Sequence, residues 1–155
     1  IGTIGFSLLS ETKLKKGHFI DIKNLKKIIE KNKKINNFKS EIKFTKSDCF
    51  SALNKKNKFD LIISNPPFFR SNSIRANSIG FDFKFNFLNN FFTNVSHYMT
   101  SKGKIIFLKI NDDLKINLKF AKNKIFKKIF KKNKLKLIEH LKIPGTIYEV
   151  MLISK

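Results

Sequence analysis

The four residues Asn65-Pro66-Pro67-Phe68 are the part of this chain best suited to chemistry. They follow a short apolar run, Phe59–Ser64, whose composition is typical of a buried strand in a parallel sheet. Two consecutive prolines cannot continue a sheet, because neither has a backbone N–H to donate. The chain must therefore leave the sheet at the carboxyl end of the strand, where open α/β sheets bind their ligands.

These residue types predict a site for a planar ring that carries an amine. The Asn65 amide oxygen and the Pro66 carbonyl can together accept both hydrogens of an exocyclic –NH2 group. Because proline fixes φ, both acceptors would be held rigidly at the crevice. Phe68 is placed to stack on a planar ring, and Phe69 lies beside it at the edge of the sheet. The alternative is a Pro-Pro strand terminator with no chemical role.

The composition predicts one domain with a sizeable core and a polyanionic partner. The chain has 155 residues, a net charge of +22 and a pI of about 10.2. Lysine accounts for 31 of the 33 basic residues, and arginine occurs only at Arg70 and Arg75. Lys, Asn, Ile and Phe have AT-rich codons, so part of the lysine excess reflects an AT-biased genome. We still favour a polyanionic partner, because such a charge attracts phosphates whatever its origin.

The sequence also argues against several classes of site. Cys49 is the only cysteine, which excludes an internal disulfide and a cysteine-based zinc cluster and suits the reducing cytoplasm. We interpret Cys49 as a small apolar residue, since no partner base is evident. No apolar run approaches the roughly 18 residues of a membrane span. The three histidines have no metal-site spacing, so structural roles are expected for His18, His97 and His140.

The hydrophobic pattern predicts helices that alternate with strands. Helices are expected at 6–14, 25–34, 85–99 and 114–130, the last with a possible break near Asn123, and strands at 18–22, 42–45, 61–64, 104–109, 135–141 and 148–153. The polar stretch 69–82 is expected to be an irregular substrate loop. Alternation of this kind predicts a parallel sheet with right-handed crossovers. The last two strands, joined through Pro144-Gly145, are expected to form an antiparallel pair.

Carboxylates follow two of the predicted strands. Asp21 ends the strand over 18–22, where it can accept hydrogen bonds from both ribose hydroxyls of a nucleoside cofactor. The alternative for Asp21 is a charge that favours the N-terminus of the next helix. Asp48 follows the strand over 42–45, and its alternative is a helix N-cap.

The run Phe59–Phe69, FDLIISNPPFF, resembles motif IV of the S-adenosylmethionine-dependent amino-methyltransferases. These enzymes methylate the exocyclic nitrogen of adenine, cytosine or guanine, or the side-chain amide of glutamine. The run is followed by a polar segment with Ser71, Ser73 and Arg75, and then by a helix, Gly103 and an apolar strand. This order looks like that of the bacterial tRNA(Val) adenine-N6 methyltransferases.

The resemblance implies an α/β fold with a Rossmann-like class I methyltransferase sheet in a single domain over residues 1–155. The sheet would be mostly parallel with an antiparallel C-terminal hairpin, and its first strand would be largely missing before Ile1. The resemblance assigns catalysis to Asn65, Pro66, Pro67 and Phe68. It also implies a tRNA or other RNA partner, held by Phe69, Arg70 and Arg75, with no metal and no membrane.

The resemblance also implies S-adenosyl-L-methionine as the cofactor. Gly2 and Gly5 look like its binding loop, although the family has glycines every second residue and these are three apart. Asp21 would bind the ribose hydroxyls. Asp48 would accept from the adenine amino group, and the backbone N–H of Cys49 would bind the ring nitrogen.

Three functions remain open at this point. The first is methylation of adenine N6 in tRNA. The second is another transfer of the same type, to guanine N2 in ribosomal RNA or to a glutamine N5 in a protein. The third is a decayed remnant that retains RNA binding without activity. The methyl acceptor separates the first two, and cofactor binding separates both from the third.

Overall fold

The structure is a computed structural model that describes residues 2–71, 81–114 and 120–155. The chain divides into two compact units, residues 1–54 and 55–155. In each unit parallel strands pack with helices, as the alternating pattern predicts. The single domain over residues 1–155 stays a prediction.

The first unit is a parallel pair of strands with two helices. Its elements are α1 (Thr3–Glu11), β1 (Lys16–Asp21), α2 (Lys26–Ile35) and β2 (Glu41–Lys46). The two strands pair in register from Lys16 opposite Glu41 to Asp21 opposite Lys46. Their carboxyl ends therefore lie side by side, which places Asp21 next to the turn that follows β2.

Helix α1 begins and ends three residues earlier than predicted. Gly2 precedes it in the left-handed conformation, with φ of 71°, so Gly5 lies inside the helix and not in a loop. A Cβ atom on Gly5 would come within 2.5 Å of Cε1 of Phe19 on β1. Gly5 therefore lets the helix approach the strand, a packing role that its sequence context did not indicate.

The second unit holds a mixed four-stranded sheet. Its elements are β3 (Phe59–Ser64), β4 (Phe69–Ser71), β5 (Phe81–Phe83), α3 (Asn86–Asn94) with a 3-10 turn (Val95–Tyr98), β6 (Met99–Ile110), α4 (Asn123–Asn133), β7 (Lys136–Lys142) and β8 (Tyr148–Ser154). The strand order is β3-β6-β8-β7. β3 and β6 are parallel, and β8 is antiparallel to both of its neighbours. This confirms the α/β class and the antiparallel C-terminal hairpin.

A cluster of phenylalanines forms the core of the second unit. Phe91 and Phe92 of α3 are buried against Phe107 of β6, with ring centroids 5.3 and 4.8 Å away. Phe126 and Phe130 of α4 close the cluster against Phe92. Helix α3 therefore packs Phe91 and Phe92 into this core.

Two elements differ from the pattern for identifiable reasons. Strand β6 begins at Met99 and not at Lys104, because Gly103 allows the strand to pass close to β3. A Cβ at Gly103 would lie 3.0 Å from the Phe59 carbonyl oxygen. Helix α4 begins only at Asn123, whose N–H donates to the Asp112 carboxylate at 2.9 Å. Residues 115–119 of the predicted longer helix lie outside the described residues.

None of the helices in the described ranges combines the length and apolar character that a bilayer span requires.

Replacement of Gly5 by alanine should destabilise the first unit. Alanine normally favours a helix over glycine, but here the added methyl collides with Phe19. Overpacking of this kind costs about 1–3 kcal/mol, so Gly5→Ala should lower the urea midpoint of unfolding. The double variant Gly5→Ala/Phe19→Leu should lose less than the sum of the single changes, since the smaller side chain removes the collision. Strictly additive losses would contradict the packing role.

Candidate active site

The segment Asn65-Pro66-Pro67-Phe68 connects strand β3 to strand β4. Ser64, the last residue of β3, is buried and pairs with Phe107 of β6. Asn65 is exposed, and Pro66 is buried again. The chain thus leaves the sheet where the two prolines predict.

A shallow pocket, with about 270 Å³ of space that includes open solvent, lies beside the two prolines. Its wall is mostly apolar, with five phenylalanines: Phe68, Phe85, Phe107, Phe120 and Phe126. Among the described residues, Lys109 is the only charged one in the wall. Such a pocket suits a flat, uncharged ring.

The residues after the prolines return toward the same pocket. The Phe68 ring packs against Tyr148, with centroids 5.3 Å apart. Phe69 begins β4 and also forms an isolated bridge with Phe120. The Arg70 guanidinium lies over the ring of Phe85, 6.0 Å from its centroid.

The prediction of an irregular loop over 69–82 is wrong at both ends of that stretch. Residues 69–71 and 81–83 pair as the parallel strands β4 and β5. Arg75, predicted to bind substrate, lies outside the described residues.

A buried ion pair lies at the same end of β6. Lys109 is 1% exposed, and its Nζ donates to Glu149 Oε2 at 2.6 Å and to Asp112 Oδ1 at 2.7 Å. Glu149, 2% exposed, also contacts His140 Nε2 at 2.8 Å. Burial of two charges is costly unless they are paired and hydrogen-bonded, and this cluster meets both conditions.

The sequence analysis missed this cluster. Its signal is a charged residue next to an apolar run in each of two strands: Lys109 follows 105–108 in β6, and Glu149 precedes 150–153 in β8. The antiparallel register places them directly opposite each other. Because they are 40 residues apart in the chain, no local pattern links them.

In the first unit, Asp21 ends β1 as predicted. Its Oδ1 accepts from the Lys23 N–H at 2.8 Å, which fixes the turn after the strand. Helix α2 begins only at Lys26, so Asp21 is not in its first turn. Ile22, which the sequence analysis did not single out, is 63% exposed next to this carboxylate. A carboxylate beside an exposed apolar side chain can bind a sugar and the flat face of an attached ring.

Asp48 and Cys49 follow β2, next to the end of β1. The Ser47 N–H donates to the Asp21 carbonyl at 2.9 Å, which joins the two strand ends. Asp48 is exposed and is followed by a turn, so its alternative role as a helix N-cap is wrong. Cys49 has φ of 51°. Burial raises the pKa of its thiol to about 12, which keeps it protonated and fits an apolar role.

The histidines have local partners. His18 Nε2 lies 2.8 Å from Thr45 Oγ1, and burial, helped by the Lys43 charge, lowers its pKa. His97 contacts the Lys55 carbonyl, and His140 contacts Glu149. Within the described ranges, no group of three or more His, Cys, Asp or Glu residues could hold a metal ion.

The geometry of the prolines and strand ends agrees with the comparison of this sequence with known families. The profile of the family described as "Methyltransferase small domain" matches residues 1–139. The chain belongs to this family. No curated protein sequence matches the chain.

Solved structures of methyltransferases share the fold. A ribosomal protein L11 methylase from Lactobacillus delbrueckii subsp. bulgaricus is 15% identical with a TM-score of 0.67, over 97% of this chain and 64% of that one. Mitomycin 7-O-methyltransferase is 8% identical with a TM-score of 0.74, over 98% of this chain and 45% of that one. An S-adenosylmethionine-dependent methyltransferase from Clostridium acetobutylicum ATCC 824 is 15% identical with a TM-score of 0.63, over 98% of this chain and 79% of that one. The present chain thus spans less than two thirds of the length of the first two of these proteins.

Removal of the Glu149 charge should destabilise the second unit of this methyltransferase-family chain. Glu149→Gln keeps the side-chain shape but leaves Lys109 buried with Asp112 as its one charged partner among the described residues. We expect a loss of about 3 kcal/mol in the free energy of unfolding, measured by urea titration.

The exposed pair Lys142–Asp113 provides the matched control, since its side chains are 64% and 77% exposed. Asp113→Asn should leave the urea midpoint nearly unchanged. Equal losses for the two variants would contradict the structural importance of the buried pair.

Proposed function

We propose that this chain binds S-adenosyl-L-methionine and transfers its methyl group to the exocyclic N6 of an unpaired adenine in tRNA. The observation that carries the proposal is the phenylalanine-walled pocket at Pro66 and Pro67, which the exposed Asn65 directly precedes in the chain. An amide oxygen and a backbone carbonyl match the two hydrogens of an exocyclic amine. An apolar aromatic wall matches the faces of the ring that carries it.

The residues of the first unit fit the adenosine part of the cofactor. Asp21 can accept from the ribose hydroxyls, and the exposed Ile22 can pack on the adenine ring. Asp48 is exposed and can accept from the adenine amino group, with the Cys49 N–H on the ring nitrogen. Gly2, in the left-handed conformation, and Gly5 remain proposed contacts, although each also packs closely against Phe19.

The proposed mechanism relies on orientation and electrostatics. When bound, the cofactor supplies an electrophilic methyl group on a positively charged sulfur. Asn65 and the Pro66 carbonyl would accept the two N6 hydrogens, which would draw the nitrogen lone pair out of conjugation with the ring and make it available for methyl transfer. Once it carries the methyl group, the amine would release one proton to solvent. Phe68 would stack on the base and offset part of the few kcal/mol needed to unstack it.

The charge and the pocket favour a nucleic acid over a protein acceptor. A chain of net charge +22 attracts polyanions at low salt. Five phenylalanines suit a planar base better than the flexible aliphatic arm of glutamine. Guanine at N2 would satisfy the same two acceptors, so the choice of adenine rests on the sequence resemblance.

Loss of the Asp21 charge should weaken cofactor binding. Asp21→Asn can still accept from the Lys23 N–H and so preserve the turn, but it loses the charge that strengthens bonds to ribose. We expect binding about tenfold weaker by calorimetry. Glu41→Gln, at the opposite end of the same strand pair, should bind as wild type. If Asp21→Asn binds equally well, Asp21 does not contact the cofactor.

Replacement of Asn65 should separate chemistry from cofactor binding. Asn65→Ala should lower methyl transfer to tRNA more than about 100-fold, since it removes one of two acceptors for the reacting amine. Cofactor affinity should not change, because the proposed cofactor contacts are other residues. Asn89→Ala, an exposed asparagine on α3, should behave as wild type.

The acceptor is identified by labelled methyl incorporation into total tRNA, ribosomal RNA and release factor, followed by analysis of the modified nucleosides and amino acids. N6-methyladenine in tRNA is expected. Only N2-methylguanine or methylglutamine would contradict the adenine assignment. A protein that binds RNA but neither binds the cofactor nor transfers methyl groups would be the inactive remnant.

A further inference from the structure

Phe85 has an unusual backbone for a residue with a large side chain. Its φ and ψ are 61° and 33°, and the preceding Lys84 has φ of 49°. Two successive non-glycine residues in the left-handed region are disfavoured, because the Cβ atoms crowd the backbone. Such a conformation persists only where the surroundings hold it, and it points to a requirement for the position of the side chain.

Asp82 holds this conformation in place. Its carboxylate is buried and accepts from the N–H groups of Phe87 and Leu88 at 2.9 and 3.0 Å. The negative charge also stabilises the N-terminus of α3, which begins at Asn86. Because Asp82 pairs with Arg70 in the β4–β5 ladder, the start of α3 is tied to the strand that follows the two prolines.

The result is that Phe85 joins the wall of the same pocket as Pro66, Pro67 and Phe68. The Arg70 guanidinium lies over the Phe85 ring, which favours one ring orientation by a cation–π contact. Phe87, two residues later, does not line this pocket. Its ring stacks on Phe91 of the same helix, with centroids 5.8 Å apart.

We propose that Phe85 is a substrate-binding residue that selects a flat heteroaromatic ring, a nucleobase, over an aliphatic amide. Arg70 and Asp82 are its positioning residues. The inference rests on the proposed function only in placing the methyl acceptor beside Asn65. It adds to that function the residue that discriminates the acceptor class. Phe85 provides an aromatic surface in addition to that of Phe68. A planar base can stack on both rings, whereas an amide on a flexible aliphatic chain makes weaker contacts with them.

The test is binding of 2-aminopurine riboside, followed by quenching of its fluorescence, which the chain does not obscure because it lacks tryptophan. S-adenosylhomocysteine is kept in excess so that the nucleoside does not occupy the cofactor site. N-acetylglutamine methylamide serves as the aliphatic amide and is added as a competitor. Wild type should bind the riboside, and the amide should not displace it.

Phe85→Asn removes the ring but suits the left-handed backbone, so the start of α3 should be retained in thermal melts. It should weaken riboside binding about 5- to 150-fold, the range expected when one stacking partner is lost. Phe85→Tyr keeps the ring and should restore most of the binding. Phe87→Leu is the matched control and should bind as wild type.

Equal riboside affinity in wild type and Phe85→Asn would overturn the proposal, whether or not the protein methylates RNA. Displacement of the riboside by the amide would also overturn it. If binding depends on Phe85 but no methyl transfer occurs, the proposal stands and the proposed function fails. If transfer to RNA proceeds in Phe85→Asn with unchanged KM, the function stands and the proposal fails.

Discussion

The missing N–H groups of Pro66 and Pro67 determine the geometry of the second unit. Strand β3 ends at Ser64, opposite Phe107, because two prolines cannot extend its ladder. Strand β6 continues to Ile110 against β8 on its other side. The last three residues of β6 therefore lack β3 as a neighbour, and they line the pocket together with the two prolines. The pocket is the space left where one strand of a parallel pair ends before the other.

The same mismatch in strand length explains the buried charges. Lys109 lies in the part of β6 that extends past β3, at a position that is fully buried. Glu149 is opposite it on β8, and Asp112 connects the pair to the first N–H of α4. The cluster thus fixes the end of β6, the start of β8 and the start of α4 with respect to one another. Since Phe126 of α4 and Phe68, packed on Tyr148, both line the pocket, these charges also fix its shape.

Features that depend on local stereochemistry could be predicted from the sequence. The exit at Asn65 follows from the two prolines, and the antiparallel hairpin from the short link through Pro144-Gly145. Features that depend on contacts distant in sequence could not. The Lys109–Glu149 pair joins residues 40 apart, and the early start of β6 depends on the fit of Gly103 against the Phe59 carbonyl. The predicted bounds of helix α1 are wrong because the fit of Gly5 to Phe19 is a tertiary contact.

Lysine is absent from the segment that contains the two prolines. From Phe59 to Phe83 the chain has no lysine, although it has 31 elsewhere, and both arginines fall in this stretch. Lysines on the surface can attract any polyanion, and that attraction weakens with salt. Arginine can stack on a flat ring and also bind phosphate with two N–H groups. Under the proposed function, salt-dependent affinity and selection of the base therefore reside in different residues. The charge of +22 then says little about specificity, which depends on Asn65 and the aromatic wall.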